Sequence, residues 1–162
     1  MDAYISIDQG TTSSRAILFG ENGSILKTFQ KEFTQIYPKP GWVEHDPEEI
    51  WETTQLVLSK LFKSDVSKRY NIRGVGITNQ RETTILWDKK TGKPLYNAIV
   101  WQDRRTSNFC KTLVNAGFEK TIVKKSGLVV DPYFSASKIK WILDIVPNAR
   151  ERPITVKYVL EQ

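Results

Sequence analysis

The chain has 162 residues, 40% hydrophobic and 26% charged, which fits one globular domain long enough to bury a core. No apolar run approaches a membrane span, and Met1-Asp2-Ala3 does not open a basic-then-apolar leader, so neither a transmembrane segment nor a signal peptide is expected. One cysteine (Cys110) and one histidine (His45) exclude an internal disulfide and a Cys/His zinc site, and suit a reducing cytoplasm.

The net charge of +6 is uneven, with five Lys/Arg against nine Asp/Glu in residues 1–62 and 19 against nine in residues 63–162. A basic half could meet nucleic acid or a phosphate-bearing ligand. Here the cations are scattered rather than blocked, so a solvated basic surface is expected and no nucleic-acid partner.

In chain order, two alternating apolar runs, Ala3–Ile7 and Ala16–Phe19, read as strands. Between them lies Asp8-Gln9-Gly10-Thr11-Thr12-Ser13-Ser14-Arg15, longer and more polar than a hairpin connection needs. A glycine that lets the backbone come close, four hydroxyls and an arginine are the parts that hold a phosphate chain. Asp8 could hold Mg²⁺ through water, because that ion keeps much of its hydration shell. The stretch matches neither of the familiar glycine-rich nucleotide motifs, and a polar hairpin without a ligand is the bland alternative. Asn22-Gly23 then returns the chain into a third strand, about residues 24–33, completing an antiparallel meander.

A loop punctuated by Pro38, Pro40 and Gly41 leads to Asp46-Pro47-Glu48-Glu49, a helix start with cap, first-turn proline and acidic first turn. The helix should run over residues 47–64. Lone His45 reads as structural. Strands are expected over residues 74–78, 83–87 and 95–101, forming a second, smaller β-unit. Helices follow over residues 103–115, 119–126 and 135–146, with Gly117 and Gly127 as stops; the last buries Ile139, Ile142, Leu143 and Val146. Residues 153–162 alternate like a strand, with Ile154, Val156, Tyr158 and Leu160 on one side.

Five segments, in order, resemble the glycerol kinase family, carbohydrate kinases of the actin-like ATPase superfamily. They are Asp8–Arg15, Ile36–Pro47, Gly76–Thr84, Asn97–Thr106 and Asp131–Lys138, and they span about residues 3–152. The resemblance implies an α/β, ribonuclease-H-like N-terminal domain that is incomplete here, with residues 1–152 forming its first part and 153–162 a tail without a counterpart. It implies that Thr11, Thr12, Ser13 and Arg15 bind the phosphates of ATP, with Mg²⁺. It further implies that Arg81, Glu82 and Tyr133 hold glycerol, with Trp101 as an apolar wall.

The chemistry agrees: glycerol hydroxyls both donate and accept, so a carboxylate can accept while a guanidinium donates. Adjacent strand residues point to opposite faces, so Arg81 and Glu82 can serve one ligand only where the chain bends. Family members are far longer. Their catalytic aspartate, the Asp-Gln pair's second glycerol contact and the adenosine-binding domain are expected beyond residue 162. The implied activity is ATP-dependent phosphorylation of glycerol, with the 162 residues alone inactive. Alternatives are a non-catalytic remnant that binds glycerol or phosphate, and a ribonuclease-H-like nuclease, which lacks converging carboxylates other than Asp8 and Glu82. An unfinished sheet edge should also favour self-association.

Overall fold

The computed structural model describes residues 1–151 and 154–158. It divides into two units, one of Met1–Gln35 and Asp46–Gln80, the other of Ile36–His45 and Arg81–Gln162.

The first unit begins with β1 (Asp2–Gln9), β2 (Ser13–Gly20) and β3 (Ile25–Glu32). They form the expected antiparallel meander, with Ile5 opposite Leu18 and Ile7 opposite Ala16. Alternate side chains share a face of a strand, which buries Ala3, Ile5, Ile7, Ala16 and Leu18 as one layer. The strand β4 (Glu44–His45) belongs to the second unit. The helix α1 (Pro47–Lys63) starts where Asp46 accepts from Glu48 N–H at 2.9 Å, and lays Val57 and Leu61 on that layer. Ile5, Leu18 and Leu61 are fully buried, each worth roughly 1.5–3 kcal/mol.

The strand after α1, β5 (Asn71–Thr78), corrects the expectation of a second β-unit built from three consecutive strands. It pairs in parallel with β1, giving the order β3-β2-β1-β5. A long crossover through a helix is what parallel neighbours require, and α1 supplies it. β5 stands at the end of this order, with Val75 and Ile77 exposed, the surface on which the self-association expectation bears.

In the second unit, β6 (Thr84–Asp88), β7 (Ala98–Ile99) and β8 (Ile154–Tyr158) join β4 in the antiparallel order β4-β7-β6-β8. The run 95–101 shortens to two strand residues. The expected tail strand is present over Ile154–Tyr158, whereas Leu160 lies outside the described residues. α2 (Ser107–Asn115) starts four residues later than expected, because the Asp103 carboxylate accepts from Val43 N–H (2.6 Å) and Arg105 N–H (2.8 Å) and holds that segment in turns. α3 (Glu119–Ser126) ends at left-handed Gly127, φ +73°. α4 (Ser135–Ile145) presses Ile142 onto Leu86 and Ile99, with Ile139, Leu143 and Val146 packed around them. No helix among the described residues is long and apolar enough to cross a membrane.

Candidate functional site

The polar octapeptide is mostly strand. Asp8 and Gln9 finish β1, Ser13, Ser14 and Arg15 begin β2, and Asp8 pairs with Arg15 across the ladder. The connection is three residues, Gly10 to Thr12, closed by Gly10 N–H to Ser13 O at 3.0 Å. A Cβ on Gly10 would stand 3.2 Å from that carbonyl, so the close approach favours glycine.

Gln35 donates to Thr11 O (3.2 Å) and Phe33 N–H to Thr12 O (3.3 Å), fixing the tip. Thr12 is exposed and Thr11 half-buried, so the hydroxyls at the tip can meet a ligand. Ser13 is buried, its Oγ accepting from Gln30 Nε2 at 3.1 Å. Ser14, outside the implied ligand set, is committed to α1 through Thr53 Oγ1 (2.9 Å) and Thr54 Oγ1 (3.2 Å). Arg15 donates to Gln30 Oε1 (3.1 Å) and to Asp8 Oδ2 (3.3 Å), each side chain of the ion pair about one-third exposed.

Hydroxyls and a guanidinium beside a tight turn are groups that can donate to phosphate oxygens. The described residues hold no cluster of three or more metal-ligating side chains. Asp8 offers one carboxylate, which could hold Mg²⁺ through water.

The second group of candidates lies in the second unit. Arg81 and Glu82 occupy the turn before β6, and Glu82 takes φ +65°. The chain therefore bends here, where a continuous strand would send the two side chains to opposite faces. A left-handed residue other than glycine costs about 1–2 kcal/mol and persists only where its surroundings hold it. Here α4 does so. Ser135 N–H (3.2 Å) and Ser135 Oγ (2.8 Å) both donate to Glu82 Oε2, so the carboxylate sits at the positive end of the helix. The Trp101 and Tyr133 rings meet edge to face, centroids 5.9 Å apart, and Tyr133 N–H donates to Asp131 Oδ1 at 2.8 Å. Glu82, Trp101 and Tyr133 are thus brought into one neighbourhood, and Arg81 adjoins Glu82, exposed.

Two buried cations in this unit were not expected. Lys138, fully buried, donates from Nζ to the carbonyls of Glu82 (3.2 Å) and Tyr133. Burial pulls its pKa from 10.5 down to about 8, against the pull of Glu82, Asp103 and Asp131. Its charge is thus a cost to the folded state below about pH 8, relieved as the pH rises toward the unfolded value. The signal was present, since a lysine four residues before Ile142 falls within the apolar stripe of α4.

Arg105 is the other. Its side chain is fully buried, donating to Glu44 Oε1 (2.7 Å) and to Asp103 Oδ1 and Oδ2 (2.9 and 2.8 Å). Its guanidinium carbon lies 3.9 Å from the Trp42 ring centroid and 4.5 Å from that of Trp141. Burial works against the charge, but the bonds to Asp103 and Glu44 outweigh it and raise the pKa above the ordinary arginine value.

The domain class follows from comparison with known proteins: the N-terminal domain of the FGGY family of carbohydrate kinases matches residues 3–160, into the segment for which the sequence blocks supplied no counterpart. The chain belongs to that family. Among individual relatives it is similar to the glycerol kinases of Petrotoga mobilis, 60% identical over 153 residues, and Brevibacillus brevis, 58% identical over 148. Those alignments cover 94% and 91% of this chain but 31% and 30% of the relatives, so the chain spans about a third of their length. A solved structure of Plasmodium falciparum glycerol kinase with ADP superposes with a TM-score of 0.92 at 36% identity, covering 98% of this chain and 33% of that one. The fold is thus that of the actin-like ATPase carbohydrate kinases.

Proposed function

We propose that the chain supplies the phosphate hairpin and the polyol-binding residues of a cytoplasmic enzyme that transfers the γ-phosphoryl group of ATP to glycerol. The observation that carries this reading is the assembly of Glu82, Trp101 and Tyr133 around the first turn of α4. Identity near 60% to glycerol kinases supports the choice of polyol.

In this reading Glu82 Oε1 accepts from one glycerol hydroxyl while Oε2 stays on Ser135. Arg81 donates to a second hydroxyl, Tyr133 shares a hydrogen bond through its phenol, and Trp101 covers the carbon edge. Thr11 and Thr12 hydroxyls, Ser13 and Arg15 hold phosphate oxygens, with Arg15 exchanging part of its bond to Asp8 for the ligand. Mg²⁺, when bound, would neutralise phosphate charge. Transfer forms a bond from glycerol oxygen to phosphorus and breaks the bond to the ADP oxygen, and the hydroxyl proton goes to a base. No residue among the 162 is assigned as that base. The 162 residues alone should therefore turn over at a rate lower by at least roughly 10²-fold than a complete kinase.

Calorimetry tests the reading. Glycerol should bind, and propane-1,2-diol should bind at least roughly tenfold more weakly, because the missing hydroxyl strands a polar group of the site. Equal affinities, or turnover at ordinary kinase rates of about 1–100 per second by the isolated chain, would contradict it.

A further inference from the structure

We propose that Lys138 is a positioning residue, whose buried ammonium clamps the main chain at Glu82 and Tyr133 into one frame for a polyol. The ligand in this inference rests on the glycerol reading above; the clamp does not.

A fully buried lysine is costly, and a well-packed apolar side chain would often serve stability better. The hydrogen bonds of Lys138 nonetheless go to two carbonyls, those of Glu82 and Tyr133, from positions 56 and five residues away. Each belongs to a residue whose side chain is a candidate ligand. Glu82 is the residue in the left-handed conformation, and a strained position needs more than one restraint.

Ser135 restrains its carboxylate and Lys138 its carbonyl, three residues apart on α4 and hence on the same face. Tyr133 is likewise held twice, by Asp131 at its N–H and by Lys138 at its carbonyl. The first turn of α4 therefore grips both ligand-bearing segments. A polyol with fixed hydroxyl spacing needs such agreement, since an error of about 1 Å can cost roughly 100-fold. The titratable groups acting on Lys138 are Glu82, Asp103, Asp131 and Cys110.

The test uses the 162-residue chain and has a wild-type arm. The carbonyl ¹³C shifts of Glu82 and Tyr133 should titrate together with a midpoint at about 8. Flat shifts through that region overturn the clamp. In Lys138→Met, unfolding should remain cooperative while the Ser135 amide exchanges at least roughly tenfold faster and glycerol affinity falls at least roughly tenfold. A folded Lys138→Met with wild-type exchange and affinity overturns the proposal, and if the variant does not fold the wild-type titration decides. Should wild type bind no glycerol, the glycerol reading fails, while the titration and the exchange rate still judge the clamp.

Discussion

Arg105→Ala is expected to cost about 3–5 kcal/mol of stability, lowering the melting temperature by roughly 6–20 °C. The change leaves the Glu44 and Asp103 carboxylates, 2% and 1% exposed, without the cation between them. Tyr96 Oη (2.8 Å) and Asn97 Nδ2 (2.9 Å) still donate to Glu44, but both are neutral. The indoles of Trp42 and Trp141, 5.2 Å apart and perpendicular, lose the guanidinium they flank. Arg105→Lys should recover only part of the loss, because one ammonium cannot offer a planar fork to two carboxylates or stack between rings. Thermal unfolding followed by circular dichroism measures it. A shift under about 3 °C for Arg105→Ala would show that the buried network contributes little.

The second large effect is on binding. Glu82→Ala should weaken glycerol by roughly 10–150-fold, the 1.5–3 kcal/mol of a hydrogen bond to a charged group. Glu82→Gly separates binding from folding. Glycine takes φ +65° without the strain that glutamate bears, which offsets part of the lost contact with Ser135. That variant should therefore keep its stability within about 1 kcal/mol of wild type and lose glycerol as Glu82→Ala does. Calorimetry alongside denaturant titration reads both quantities. Wild-type affinity in Glu82→Gly would remove Glu82 from the site.

Local patterns carried much of the fold. Alternation over residues 3–7 and 16–19, Asn22-Gly23, and the Asp46-Pro47 helix start each correspond to an element within a few residues. Periodicity over residues 74–78, however, marks a strand without naming its partner, and pairing with β1 is decided by the crossover through α1. β4, two residues long, is too short to have a period, and β7 keeps only two residues of the run expected over 95–101.

At the candidate site, the sequence blocks named Glu82, Trp101 and Tyr133, which the fold brings into one neighbourhood, and the chain turns at Glu82. The octapeptide read as a long loop because its hydroxyls hide a strand ladder, Asp8 opposite Arg15 and Gln9 opposite Ser14. Arg105 and Lys138 escaped notice because charged residues default to the surface. Lys138 carried a signal in its place on the apolar stripe of α4, whereas for Arg105 only the tertiary contacts show the enclosure.

The most direct test of the account is to map binding residue by residue in ¹H–¹⁵N spectra of the chain, adding glycerol and Mg²⁺–ADP separately. Glycerol should shift Arg81, Glu82, Trp101 and Tyr133, and Mg²⁺–ADP should shift Gly10 to Ser13 and Arg15. Glycerol shifts confined to other residues, or a phosphate hairpin unmoved by saturating nucleotide, would contradict it.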